Sequence, residues 1–427
     1  MTAQIVEAIA GKLADPQEVA AIAARPGNEL VLPTATMRQW ETHGLSDSYP
    51  AVSLLFAELG ATDAAQRPRA HAHLAAGLAA DAPPPVPALY GGAMSLGFAA
   101  HAAALASGGY TTLLSRLDQA IVGQVRRWAR DRRSAGAPIG DWSGYDVITG
   151  GAGLGRYLLA RHERTGDEGV GEALRETLDV LVNVALAADT KVDGRPVPAW
   201  WVHHGVTHDD TAGHLNLGLA HGLGGPLALL AVAWRAGVRV DRHAEAAAAI
   251  VALLDDRQLE DEAGPYWPYW VFLDGADDPA RIRDVWCYGA AGVGRSLYLA
   301  GSAFDEKEWR DTGDAAVRGA LTGPAEHAIH DVALCHGWAG LLHIASRMAH
   351  DTGDAAYTAA ADGFATRIGE VYDPDAPFGF RYAHPTAPHQ TDRPGFLEGA
   401  AGIALALHCH GTGAPPVTGW DAALLLN

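Results

Sequence analysis

Two short stretches of the chain place cysteine and histidine, which are ligands for a soft metal, directly before a glycine-rich helix start. Cys287 lies in the stretch Trp-Cys-Tyr-Gly, and Cys335 and His336 lie in the stretch Cys-His-Gly. Zinc accepts thiolate and imidazole in a tetrahedral site, and catalytic zinc sites have three protein ligands and one open position. These side chains therefore predict a site for one zinc ion per chain, with a fourth position left for a substrate.

The two cysteines differ from an isolated cysteine, which is more often a small buried apolar residue. They stand at equivalent places in successive copies of one motif, and a helix start favours the thiolate form of a cysteine. The third cysteine, Cys409, lies beyond its own motif. We interpret Cys409 as a core or surface residue rather than as a fourth ligand.

Three further residues have the types that acid/base chemistry needs. His221 directly precedes the glycine of its own motif, as His336 does, and imidazole exchanges protons near neutral pH. Asp146 and Arg283 each stand four residues before a motif. A capping or core histidine and two surface charges are the structural alternatives. If both charges point inwards, they could orient His221 or stabilise developing negative charge.

The motif that carries these residues recurs along the chain, and each copy is followed by an apolar run suited to a helix. Amphipathic segments, such as 172–187, 242–254, 307–321 and 354–371, lie between the copies. Apolar helices in an inner ring with amphipathic helices outside would bury both faces of the inner set. We therefore predict an all-α fold, an α/α toroid, in a single domain over 1–427. The six visible copies have their first glycines at Gly91, Gly150, Gly222, Gly289, Gly337 and Gly399.

Two insertions and the N-terminal part depart from the repeat. Before residue 88 we predict two short helices within 4–24 and one helix within 48–67. The insertion 189–216 is a long loop with strand-like pieces, and the aromatic-rich insertion 264–284 suggests a hairpin or a covering loop. Both are predicted to lie over the central cavity. The first insertion contains four histidines, for which metal binding is the weaker hypothesis: His203, His204, His208 and His214.

Composition limits the classes of function. The chain has 427 residues, 48% of them hydrophobic, and a formal net charge of −19, which disfavours binding to nucleic acid or anionic lipid. Three cysteines do not make a disulfide framework and suggest a reducing compartment or metal use. We see no signal peptide and no apolar run long enough for a transmembrane segment. A cytoplasmic protein is expected.

Four stretches carry a family resemblance when they are taken together. They occur in the order 145–159, 216–230, 283–289 and 335–341, and they resemble the lanthipeptide (lantibiotic) cyclases and their lanthionine synthetase C-like relatives. The likeness extends from about residue 90 to 406 and is weakest in the N-terminal part, 1–88. It implies a toroid of seven helical hairpins around a zinc ion held by Cys287, Cys335 and His336.

The resemblance also implies a reaction and partners. A cysteine thiolate of a dehydrated precursor peptide would add to dehydroalanine or dehydrobutyrine and close a thioether ring, lanthionine or methyllanthionine. The acid/base and supporting residues would be His221, Asp146, Arg283 and Tyr288. Because the chain has no room for a fused dehydratase, a separate dehydratase is expected, either free or in a modification complex.

Three other functions were weighed against this hypothesis. A related enzyme could add glutathione or another small thiol to dehydroamino acids, and a non-catalytic zinc-containing scaffold could bind peptide or glutathione. A scaffold would need the zinc ligands but not an acid/base pair such as His221 with Arg283. A carbohydrate-active toroid would need two carboxylates and no zinc thiolates, so the sequence already disfavours it.

Overall fold

The computed structural model describes residues 2–80, 86–136, 140–205, 212–273, 275, 280–323 and 329–427, most of which are helical. The helices in these residues are α1 (Thr2–Lys12), α2 (Pro16–Ala23), α3 (Tyr49–Thr62), α4 (Arg67–Ala79), α5 (Gly92–Ser107), α6 (Thr111–Ala135), α7 (Gly151–Thr165), α8 (Glu168–Ala185), α9 (Gly224–Arg235), α10 (His243–Asp255), α11 (Ala290–Phe304), α12 (Lys307–Thr322), α13 (Trp338–Thr352), α14 (Ala355–Glu370) and α15 (Ala400–Thr412). The strands are β1 (Leu30–Val31), β2 (Thr36–Met37), β3 (Thr190–Val192), β4 (Arg195–Val197), β5 (His214–Asn216), β6 (Leu259–Asp261), β7 (Gly264–Tyr266) and β8 (Trp270–Phe272).

The chain divides into two compact units. The first unit comprises 1–86, 90–118 and 329–420, and the second comprises 87–89, 119–328 and 421–427. In the first unit, α13, α15, α3 and α5 pack side by side in that order, while α14, α1 and α4 pack on α13, α15 and α3. The side-by-side helices are buried along most of their length, and most of their buried side chains are apolar. The prediction of a single domain stays a prediction.

The second unit repeats the same arrangement. Here α7, α9 and α11 pack side by side, with α8 on α7, α10 on α9 and α12 on α11. Glycine allows α11 and α12 to approach closely, since a Cβ atom at Gly313 would lie 2.5 Å from the carbonyl oxygen of Gly294. Small residues at this contact therefore permit close packing of the two backbones.

All six predicted glycine motifs begin a helix in the described residues, namely α5, α7, α9, α11, α13 and α15. A seventh helix of the same buried type, α3, lies within the segment predicted as 48–67 but has no glycine motif. Its start is specified by Ser48, whose Oγ accepts a hydrogen bond from the Ala51 N–H, and by Pro50 in the first turn. None of the described helices is long and apolar enough to cross a membrane.

In three of the motifs, the first glycine closes a turn that returns onto an acidic residue. Asp146 Oδ1 accepts hydrogen bonds from the N–H groups of Thr149 and Gly150 at 2.7 and 2.6 Å. A Cβ atom at Gly150 would lie 2.3 Å from the Asp146 nitrogen, and one at Gly337 would lie 2.2 Å from Asp331 Oδ1. The motif therefore fixes the residue before each helix start as well as the helix itself.

The two predicted insertions form short antiparallel ribbons. Strands β3 and β4 pair with each other, as do β6 and β7, while β5 of the first insertion pairs with β8 of the second. The strand-like pieces expected in the first insertion are thus present. The two strands of the second insertion, β7 and β8, do not form a hairpin with each other, because β7 pairs with β6 and β8 pairs with β5. The β5–β8 pairing joins the insertions within the second unit. Their predicted position over a central cavity stays a prediction.

Two buried histidines make stability sensitive to acid. His73 of α4 and His243 of α10 are 0% and 1% exposed, and each directs Nε2 at a backbone carbonyl, Leu13 and Leu230 respectively. Burial lowers the pKa of both imidazoles to about 4. Because an unfolded histidine titrates near ~6.5, the unfolded state binds more protons as the pH falls between these values.

We therefore expect the free energy of unfolding to fall as the pH is lowered from about 6.5 towards 4, by on the order of 3 kcal/mol for each histidine. Urea unfolding across this range measures the slope. In the double variant His73→Gln, His243→Gln, whose side chains can still donate to the carbonyls, the slope should be clearly shallower. An unchanged slope would contradict this assignment.

Candidate metal and acid/base site

The three candidate metal ligands lie together. The Sγ atoms of Cys287 and Cys335 and a ring nitrogen of His336 are all within 4.8 Å of one another. Cys287 is buried, the other two are half-buried, and both cysteines are free thiols. These residues are positioned to bind a metal. They form the one such group of His, Cys, Asp and Glu in the part of the chain that the structure describes.

The His336 ring is held by groups of the first unit. Its Nε2 lies 3.1 Å from Asp331 Oδ2 and 3.1 Å from the Tyr382 hydroxyl, while Nδ1 lies 3.9 Å from Glu398 Oε1. Burial raises the pKa of Tyr382, and the nearby Glu398 carboxylate raises it further, so this phenol stays protonated. A carboxylate that accepts the Nε2–H of a histidine leaves Nδ1 to face a metal.

A buried arginine, Arg393, links the carboxylate of Glu398, which lies near His336, to that of Asp47. Arg393 donates to Asp47 Oδ2 at 2.7 Å, pairs with Glu398, and lies over the Tyr382 ring with its guanidinium carbon 4.8 Å from the centroid. Burial raises the pKa of the Asp47 carboxyl, and the Arg393 charge opposes that effect. Arg393 was not among the residues predicted from the sequence, although it stands six residues before Gly399, as Asp331 does before Gly337.

His221 and Asp146 form a hydrogen-bonded pair in the second unit. Their Nδ1 and Oδ2 atoms are 2.7 Å apart, and the Asp146 side chain is 0% exposed while that of His221 is 32% exposed. Since the other oxygen of Asp146 is held by the turn, its carboxylate accepts the Nδ1–H and fixes the histidine tautomer. Nε2 is then the atom that can exchange a proton. The Trp142 ring packs 5.2 Å from the imidazole.

Backbone hydrogen bonds join the turns that carry these residues in the second unit. The N–H groups of Leu219 and Ala220 both donate to the Cys287 carbonyl, at 3.0 and 3.3 Å. The Ala220 carbonyl accepts from the Val147 N–H at 2.9 Å. The turn of His221 is thereby attached both to the turn of Asp146 and to the turn of Cys287. A site built this way is fixed by main chain rather than by flexible side chains.

The two remaining predicted residues, Arg283 and Tyr288, flank Cys287 and are half-buried. The Tyr288 ring stacks on Tyr269 with centroids 4.8 Å apart, and the Tyr269 hydroxyl donates to the Arg283 carbonyl at 2.6 Å. Burial raises the pKa of Tyr269, so its hydroxyl remains a donor. The Tyr288 oxygen accepts from Asn216 Nδ2 at 3.0 Å. Asn216 is a further residue of the site, and it was not among those predicted from the sequence.

The weaker sequence candidates are not part of the candidate metal-binding group. Cys409 is 4% exposed within α15, so of the two predicted alternatives, core or surface, it lies in the core. His214 is buried in β5, and the His204 ring packs edge-on against Trp142 at 4.4 Å. Within the described ranges, neither these two histidines nor His203 belongs to a metal-binding group. His208 lies outside the described residues.

Comparisons with known proteins identify relatives of this chain. Residues 39–425 match the family described as lanthionine synthetase C-like protein. The nisin biosynthesis protein NisC of Lactococcus lactis subsp. lactis is 26% identical over 213 residues, 47% of this chain and 48% of NisC. The alignment thus spans about half the length of that curated relative.

A solved structure shares the fold. The structure of nisin cyclase superposes with a TM-score of 0.73 at 24% sequence identity, covering 90% of this chain and 92% of that one. This match confirms the predicted α/α toroid. Because the family match extends over most of the sequence, the chain belongs to the lanthionine synthetase C-like family.

Proposed function

We infer that this protein is a zinc-dependent cyclase that forms lanthionine or methyllanthionine rings in a dehydrated precursor peptide. The observation that carries the proposal is the convergence of Cys287, Cys335 and His336. Membership of the lanthionine synthetase C-like family and the fold shared with nisin cyclase support it. The pairing of His221 with Asp146 favours an enzyme over a scaffold, since a scaffold needs no oriented acid/base group.

The donor set fits zinc. Tetrahedral zinc with thiolate ligands at about 2.3 Å separates neighbouring donor atoms by about 3.8 Å, and the three candidate donors are within 4.8 Å. Two thiolates and an imidazole suit zinc better than magnesium or calcium, which take oxygen ligands. Asp331, on Nε2 of His336, is the kind of partner that orients a metal-bound imidazole. One zinc per chain is expected.

Different residues of the chain have different roles in ring closure. Bound zinc would lower the pKa of the substrate cysteine and hold it as a thiolate. The sulfur lone pair forms a bond to the β-carbon, the carbon–carbon π electrons move towards the carbonyl oxygen, and a proton then goes to the α-carbon. His221, with Asp146 on Nδ1, takes up the thiol proton or delivers the proton to carbon through Nε2. Arg283 stabilises the enolate, and Tyr288 lies beside the enolate.

The proposed partner enzyme and cellular location follow from the chemistry of the reaction. The substrate needs dehydroamino acids, so a separate dehydratase must act first, alone or in a modification complex. The three free cysteines suit a reducing compartment, and we propose a cytoplasmic location. Michael-type addition releases no group, so each ring forms without a change in peptide mass.

Incubation with dehydrated cysteine-containing peptides tests the proposal. After alkylation of remaining thiols, mass spectrometry should show fewer alkylated cysteines at an unchanged peptide mass. In a parallel incubation with glutathione, a peptide that gains the mass of glutathione and closes no ring would show that the function is small-thiol addition instead. Free thiols that persist in several dehydrated peptides, with zinc-loaded protein, would overturn the proposal in favour of a scaffold.

A further inference from the structure

Asn216 determines the direction of the hydrogen bond at Tyr288. Its side chain is 0% exposed, and Oδ1 accepts the Gly218 N–H at 3.0 Å. Because a backbone donor occupies the oxygen, the amide orientation is set and the NH₂ group must face the Tyr288 hydroxyl, 3.0 Å away. The phenolic oxygen is therefore the acceptor in this bond. The hydroxyl hydrogen is therefore not used in this bond.

The Tyr288 ring is fixed on three sides within the second unit. It stacks on Tyr269 at 4.8 Å, meets Trp270 edge-on at 5.5 Å, and packs on Gly218, where a Cβ atom would lie 2.6 Å from Tyr288 Cδ1. Tyr288 directly follows Cys287, and its side chain is half-buried rather than enclosed. The hydroxyl oxygen thus has a fixed position, on the residue that follows a candidate metal ligand.

We propose that Asn216 is a positioning residue that holds the Tyr288 hydroxyl as a hydrogen-bond donor for the enolate oxygen. The proposal rests on the cyclase function inferred above. During addition the π electrons of the dehydroamino acid move to its carbonyl oxygen, and donors already aimed at that oxygen stabilise the charge. Tyr288 keeps its proton throughout and donates only a hydrogen bond. A hydroxyl that already accepts from an amide is also a stronger donor.

The variant Asn216→Asp separates this role from a structural one. It preserves side-chain shape and the acceptor for Gly218, but replaces the NH₂ donor with oxygen. An ionised carboxylate there would accept the Tyr288 hydrogen and turn the donor away from the substrate. We expect kcat for ring closure to fall about 10²-fold to 10³-fold, as for loss of an oxyanion donor, with zinc content retained.

The pH profile provides the second readout. When the introduced carboxyl is protonated it can donate to Tyr288 as the amide does, so the ratio of variant to wild-type activity should rise as the pH falls. In the background of Tyr288→Phe, which keeps the ring and lacks the hydroxyl, Asn216→Asp should cause little further loss and no pH-dependent recovery. Residues that act through one another show this non-additivity.

Two results would overturn the proposal. If the Asn216→Asp variant kept kcat within threefold of wild type, the positioning role would be excluded. The role would also be excluded if the losses of kcat caused by Asn216→Asp and by Tyr288→Phe were fully additive in the double variant. Full activity of Tyr288→Phe itself would exclude the hydroxyl as a donor while leaving the cyclase function intact. A wild-type protein that closes no ring would instead remove the proposed function on which this role rests.

Discussion

Replacement of Cys287 by alanine is expected to remove zinc from the purified protein and to abolish ring closure. The wild-type chain should contain about one zinc ion, as a single three-ligand site requires. The variant would keep only Cys335 and His336 near the metal, and two ligands do not hold zinc against dialysis with a chelator. Metal analysis by inductively coupled plasma mass spectrometry gives the stoichiometry directly, independently of any substrate.

Cys409→Ala is the matched control for this experiment. Both cysteines are buried free thiols, but Cys409 belongs to no metal-binding group in the described part of the chain. The control should retain zinc and activity, with at most a modest loss of stability from the smaller side chain. If Cys287 were only a small core residue, both variants would keep zinc. Full zinc in Cys287→Ala would therefore contradict the ligand assignment.

Replacement of His221 by alanine is expected to lower kcat for ring closure by about 10²-fold to 10⁴-fold, the range associated with a positioned acid/base group. Its zinc content should not change, because His221 is not among the three candidate ligands. Asp146→Asn should also reduce kcat, since an amide can stabilise the wrong imidazole tautomer. Rates measured on one dehydrated peptide, with zinc content recorded for each variant, check both expectations.

His350→Ala provides the histidine control, because its side chain is 54% exposed on α13 and contacts the carboxylate of Asp351 rather than the site. Wild-type rates are expected for this variant. A His221→Ala protein that kept a third or more of the wild-type rate would show that proton exchange is supplied by another group. The combination of lost rate and retained zinc is what separates an acid/base role from a role in metal binding.

Much of the helical repeat could be predicted because glycine and apolar periodicity are local signals. Each glycine motif begins a helix, and the predicted residues His221, Cys287 and His336 stand one or two residues before the first glycine of three of these motifs. The start of α3 was not recognised as a copy of the motif, because a serine cap and a proline replace the glycine turn there. Different local chemistry can thus begin equivalent helices, and only packing reveals that they are equivalent.

The residues that support the site were less predictable. Asn216, Asp331 and Arg393 each stand six residues before a motif glycine, so the register contained a signal for them. Their types differ, however, and what each contacts depends on the fold: Tyr288, His336 and Glu398 respectively. Tyr382 lies in an irregular segment with no periodicity. Such contacts arise between distant parts of the chain, where sequence spacing carries little information.

The central claim is that a zinc-loaded site in this chain closes thioether rings, and reconstitution tests it most directly. Protein stripped by a chelator and the same protein reloaded with one equivalent of zinc are incubated with a dehydrated, cysteine-containing peptide. Remaining thiols are then alkylated and counted by mass spectrometry. We predict that thiols disappear at unchanged peptide mass only with the reloaded protein. Equal thiol loss with stripped and reloaded protein, or no loss with either, would contradict the claim.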